Sequence, residues 1–200
     1  LHPDPGDVFA DLGCGKGPAV IVAARLPFQR VIGVELAPDL SEIARENVER
    51  ARNHLRSPAV TIVTADMLDW PIPDDLSVVY LYCPVVGDTF SRLAERLIAS
   101  YDASPRRLRI VYNYPWEHNR LLGTGRVRVT DVSPARWPAR PRWWEGSQAI
   151  VTYELVPEGA LRQPVAPSGR RRDAALERWS GPNDTTFRLH REGRPTVVSR

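Results

Sequence analysis

The feature that most constrains this chain is the run Asp11-Leu12-Gly13-Cys14-Gly15-Lys16-Gly17. An apolar run, Val8-Phe9-Ala10, precedes it and reads as a short buried strand. Pro18-Ala19-Val20-Ile21-Val22-Ala23-Ala24-Arg25-Leu26 follows and reads as a helix. Pro18 stands at the first helical position, where a missing N–H costs nothing. The glycines therefore occupy a strand-to-helix turn. Such a turn lets backbone come close to a ligand and can aim N–H groups at it. The pattern predicts a cofactor site.

The remaining elements give that turn a setting. Residues 30–35 are nearly continuously apolar, as expected of a strand buried on both faces. Pro38 and Asp39 open a long helix in which Leu40, Ile43, Ala44, Val48, Ala51 and Leu55 share one face. Residues 59–64, 76–82 and 107–113 read as strands three to five. Phe90, Leu93, Ala94, Leu97 and Ile98 mark a helix between the last two. A short helix over 117–122 is expected to be capped by Gly123. Residues 126–131 and 148–155 read as a closing antiparallel hairpin around a loop rich in Pro, Arg and Trp. The expected fold class is α/β: an open, mostly parallel twisted sheet with helices on both faces and an antiparallel C-terminal hairpin. Residues 1–156 make that domain. The Arg- and Pro-rich stretch 157–200 is expected to be a mobile tail, with a small hairpin around Gly193. Strand one begins almost at Leu1, so a shortened N-terminus is expected.

Composition narrows the partners. A content of 42% hydrophobic residues suits one domain with a sizeable core. One lysine and 26 arginines against 24 acids give a net charge of only +3, read here as a solvated arginine surface. Nucleic acid is therefore not expected as a partner. No apolar run reaches the roughly 20 residues of a membrane span, so no membrane association is expected. Cys14 and Cys83 lie in apolar surroundings and are expected to be reduced, which points to a reducing, cytoplasmic compartment. The four histidines have no ligand-like spacing with either cysteine, so no metal site is expected.

In open sheets of this kind, ligands bind beyond the carboxyl ends of the strands. There the chain places Asp11 with Gly13, Cys14, Gly15 and Gly17, then Glu35 with Leu36, then Asp66 with Met67. Cys83-Pro84 and Asn113-Tyr114 follow. Glu35 is an acceptor-only group at the reach of both ribose hydroxyls of an adenosine. Asp66 can accept from an adenine amino group, and Met67 offers a backbone N–H and a soft side chain to the ring. A dinucleotide would want a third glycine where Pro18 stands. Its pyrophosphate would also be repelled by Asp11, whereas a cationic ligand would be attracted.

The three stretches Asp11–Gly17, Gly33-Val34-Glu35 and Ala65-Asp66-Met67 resemble the first three motifs of class I S-adenosylmethionine-dependent methyltransferases. The resemblance covers residues 7–155. It implies a Rossmann-like methyltransferase fold and S-adenosylmethionine as cofactor. Gly13, Gly15 and Gly17 would line its methionine part, Glu35 hold the ribose and Asp66 the adenine. The long second helix and the strand-four ending also resemble small bacterial methyltransferases akin to the non-SET histone-lysine enzymes. The chain departs from many amino-group methyltransferases at Tyr82-Cys83-Pro84-Val85, where an Asn or Asp and a second aromatic are missing. Tyr82, Tyr112, Asn113 and Tyr114 are the candidates to line the acceptor pocket. The expected acceptor is a protein side chain or a small molecule. The alternative is a module that binds S-adenosylmethionine without catalysis.

Overall fold

The computed structural model describes residues 3–134 and 149–162, and the backbone of 187–189 and 195–197. Seven strands form one sheet: β1 (Val8–Leu12), β2 (Arg30–Glu35), β3 (Val60–Thr64), β4 (Val78–Tyr82), β5 (Arg109–Asn113), β6 (Val127–Pro134) and β7 (Ala149–Leu155). Their order is β3-β2-β1-β4-β5-β7-β6. The first five run parallel, and β7 is antiparallel to both β5 and β6. This is the expected α/β class with its antiparallel close. A separate pair, β8 (Phe187–Leu189) and β9 (Pro195–Val197), runs antiparallel within the region read as a small hairpin. The Trp- and Arg-rich loop over 135–148 and residues 163–186 of the expected tail lie outside the described residues.

Helices cover both faces. On one, α1 (Pro18–Ala24) and α2 (Pro38–Ala51) bury Val20, Ala23, Ala24 and Ala44 against Phe9, Val31, Ile62 and Val78. On the other, α3 (Gly87–Ala103) buries Phe90, Leu93, Ala94 and Leu97 against Leu81, Ile110 and Tyr153. Phe90 stacks on Tyr112, centroids 5.6 Å apart, an arrangement that contributes about 1 kcal/mol beyond burial. A short α4 (His118–Gly123) follows β5. The expectation of a cap at Gly123 is corrected here. Gly123 is the last helical residue, and Gly125 takes the left-handed turn at φ 65°. That conformation suits a residue without Cβ.

The end of the sheet opposite the strand tips is pinned electrostatically. Arg109 donates to Asp7 at 2.6 Å, and Ser77 donates to the other Asp7 oxygen at 2.8 Å. Burial by itself pushes the Asp7 carboxyl up. Hydrogen bonds from Ser77, the Asp4 backbone and Arg109 outweigh it and hold the group below its usual range. β1, β4 and β5 are thereby tied in register at their starts, and their opposite ends are correspondingly fixed in space.

Candidate functional site

At the strand tips the glycine turn folds back onto the end of β2. Gly13 and Cys14 both donate their N–H to the Val34 carbonyl, at 2.8 and 3.0 Å. Gly15 N–H donates to Glu35 Oε2 at 2.8 Å, and Gly17 N–H to the Cys14 carbonyl at 2.9 Å. This corrects one expectation: these N–H groups are not directed at a ligand. Backbone donors in such a turn need acceptors, and the neighbouring strand supplies three while Cys14 supplies the fourth. The consequence is chemical. A phosphate needs donors, and four of the turn's N–H groups are already engaged.

Gly13, Gly15 and Gly17 all have φ between 55° and 83°, the left-handed region that L side chains rarely adopt. A Cβ at Gly13 would lie 2.9 Å from Pro84 Cβ and 3.5 Å from Met67 Cε. The turn, the β3 tip and the β4 tip therefore converge at Gly13. A Cβ at Gly15 would meet nothing within 4 Å, so space is open above that residue.

Glu35 is buried at 9% exposure, with Oε1 accepting the Ala37 N–H at 3.0 Å. Each carboxylate oxygen has one backbone donor and keeps a lone pair for another. Asp66 Oδ1 accepts the Leu68 N–H at 2.8 Å, which fixes a turn and leaves the second oxygen clear of that bond. Asp11 is 3% exposed, and its carboxyl is pushed up to about 7, first by burial and then by the Glu35 charge. A buried acid beside a second acid is the environment that a cationic ligand relieves.

The other candidates are placed less uniformly. Leu36 is 65% exposed on the surface after β2. Cys14 is buried, and burial with the Asp11 and Glu35 charges raises its thiol to about 12, an inert group. Cys83 is half-buried rather than core, at φ 44°. Tyr82 is exposed. Asn113 is half-buried and donates to the Tyr80 hydroxyl at 3.0 Å. Tyr114 is half-buried at φ 55°, its ring 6.0 Å from that of Trp116. Tyr112 is fully buried in the α3 face, so it leaves the set of pocket-lining candidates. Strand alternation explains this: Tyr112 faces α3, and Asn113 one residue on faces the other way. Among the described residues no three His, Cys, Asp or Glu side chains cluster to hold a metal ion.

The family model described as a methyltransferase domain matches residues 9–108. The chain belongs to this family. This methyltransferase domain is of the class I, S-adenosylmethionine-dependent kind. Its residues fit that cofactor. The turn engages its own N–H groups, its buried acids suit an ammonium and a sulfonium, and Glu35 retains acceptor capacity. The domain is 36% identical over 94 residues to the ribosomal protein L11 methyltransferase of Geobacter metallireducens, covering 47% of this chain and 28% of that one. It is 44% identical over 52 residues to the protein-L-isoaspartate O-methyltransferase of Aeropyrum pernix, covering 25% and 20%. The chain thus spans less than a third of the length of these curated relatives. Among solved structures, an RNA methyltransferase from Salinibacter ruber in complex with S-adenosyl-L-homocysteine superposes with a TM-score of 0.51. It is 24% identical, covering 83% of this chain and 89% of that one. A tRNA methyltransferase of B. subtilis gives 0.54 at 16% identity, covering 76% and 61%. Protein and RNA methyltransferases both stand among these proteins, so the expectation that set nucleic acid aside loses its support. Among the described residues no helix is long and apolar enough to cross a membrane.

Proposed function

We propose that the domain transfers a methyl group from S-adenosylmethionine to a nucleophile on a protein side chain. The observation that carries the reading is the internal engagement of the turn's N–H groups beside two buried carboxyls, Asp11 and Glu35. The protein assignment is supported by the two curated relatives described above, both of which are named as acting on proteins.

When bound, S-adenosylmethionine supplies a methyl group on a sulfonium sulfur, which keeps the bonding pair as an acceptor lone pair attacks the carbon. The chain's own residues do the rest. Glu35 accepts from the ribose hydroxyls, and Gly15 and Ala37 hold its carboxylate in orientation. Asp66 offers its second oxygen to the adenine amino group, with Met67 beside the ring. Asp11, ionised, faces the positive charge. Tyr82, Asn113 and Tyr114 border the space where the acceptor enters. Holding two reactants in line is the main source of acceleration in such a transfer. An amine acceptor gives its proton to water.

Calorimetry with S-adenosylhomocysteine and NAD, followed by labelled-methyl transfer into separated protein and RNA fractions, tests the reading. Binding of S-adenosylhomocysteine and label in protein is the expected result. NAD binding alone would refute the cofactor, and label only in RNA would refute the acceptor. Tight binding with no transfer to either fraction would point to a binding module.

A further inference from the structure

Among the described residues only Cys83 and Tyr114 are non-glycine residues with positive φ, at 44° and 55°. Their positions correspond. Tyr82 and Asn113 are register partners at the ends of β4 and β5, and each strained residue is the next one along. A left-handed conformation at a residue with a side chain is strained and persists only where the surroundings impose it. The question is what imposes it on two adjacent strand tips.

Glu117 answers. Its side chain is 5% exposed, in the loop between β5 and α4. Oε1 accepts the Gly87 N–H at 2.7 Å, and Oε2 accepts from Arg120 Nε at 3.1 Å. Gly87 is the first residue of α3, and Val86, at the N-cap, has no side-chain cap to offer. A carboxylate from the loop after β5 therefore supplies the cap that the helix lacks, where it also meets the positive end of a 17-residue helix. Arg120 extends the connection, donating to Ser91 Oγ at 3.0 Å and approaching Asp88 at 3.8 Å. Residues 83–86 are left as a short span. It is held at one end by β4 and at the other by Glu117, with Pro84 packed over Gly13 of the cofactor turn.

We infer that Glu117 is a positioning residue that locks the β4 and β5 tips together and thereby sets the 83–86 loop against the cofactor turn. It touches no reacting atom. It acts through Gly87 N–H and Pro84. The inference rests on the proposed reading of the strand tips as the methyl-transfer site.

The test compares Glu117→Ala, Glu117→Asp and Glu117→Gln in the full chain. The probes are S-adenosylhomocysteine affinity by calorimetry and exchange of the Gly87 amide, both measured well below the unfolding transition. Alanine removes the acceptor, and Asp withdraws it by one methylene. Each should speed Gly87 exchange by about tenfold and weaken S-adenosylhomocysteine by about five- to tenfold, the effect of losing a charge-assisted hydrogen bond to a buried donor. Gln keeps an oxygen for Gly87 and should restore both to within about twofold. Should the Ala variant fail to fold, the Asp and Gln pair carries the same comparison. Unchanged exchange and affinity in Ala or Asp would overturn the inference, as would a Gln variant that behaves like Ala. A wild-type chain that fails to bind S-adenosylhomocysteine would defeat the proposed function instead, and Gly87 exchange would still decide whether the lock exists.

Discussion

Replacing Asp11 with Asn removes one charge from the most strongly perturbed carboxyl at the strand tips. Burial first, and the Glu35 charge second, raise that group from 3.8 to about 7 in the folded chain. A raised carboxyl contributes its stability below its unfolded value. It loses that contribution as pH rises through the folded value, because the native state holds a proton the unfolded state has released. A shift of three units is an upper bound of ~4 kcal/mol against the wild type at high pH, at ~1.4 kcal/mol per unit. His118 works the other way in part of the same window. Burial lowers it to about 4, so its contribution is present above its ordinary 6.5 and is lost as pH falls through 4. Absolute stability curves therefore mix two opposed slopes, and only the difference between variant and wild type isolates Asp11. Urea unfolding should show Asp11→Asn gaining ~3 kcal/mol on the wild type between about pH 4.5 and about pH 8.5. Parallel curves for the two proteins would refute the argument that Asp11 is desolvated beside Glu35. S-adenosylmethionine affinity supplies the second arm. It should tighten as pH rises through about 7 in the wild type, and stay flat in the variant.

Other changes have equally specific outcomes. Glu35→Ala should weaken S-adenosylhomocysteine by ~10-fold or more through lost charge-assisted hydrogen bonds; calorimetry reads it. Gly13→Ala should be more damaging than Gly15→Ala for binding, since a Cβ at Gly13 meets Pro84 at 2.9 Å and one at Gly15 meets nothing. Arg109→Ala leaves Asp7 buried without its ion pair and should cost ~3–5 kcal/mol, measurable by denaturant unfolding.

Elements were legible where physics is local. Parallel strands buried on both faces appear as apolar runs, and the run over 30–35 coincides with β2 to the residue. Ends with mixed character shifted instead. The sequence pattern places Arg107 in strand five, yet the strand starts at Arg109, whose guanidinium is drawn inward by Asp7. That pair joins residues 102 positions apart, and the Glu117–Gly87 bond joins residues 30 apart. No periodicity announces such partners. The positive φ of Cys83 and Tyr114 was hidden for a related reason: residues with side chains give no local sign of a conformation imposed from outside. At the glycine turn the sequence located the backbone freedom but misassigned its donors. Three of the four find acceptors on another strand, at Val34 and Glu35, and Gly17 bonds back to Cys14.

The strand order carries one more consequence. β1, β2 and β3, with the residues proposed to grip the cofactor, come from positions 8–67. The tips proposed to receive the acceptor, on β4 and β5, come entirely from positions after them. The two meet at one seam, where β1 pairs with β4 and Pro84 lies over Gly13. Recombination at the crossover between β3 and β4 would exchange one half of the chemistry and keep the other. It would need to preserve the pairing of Phe9, Ala10 and Asp11 with Val78, Val79 and Tyr80, together with the bonds from Ser77 and Arg109 to Asp7. A lineage built on this plan can change what it methylates without redesigning how it holds the methyl donor.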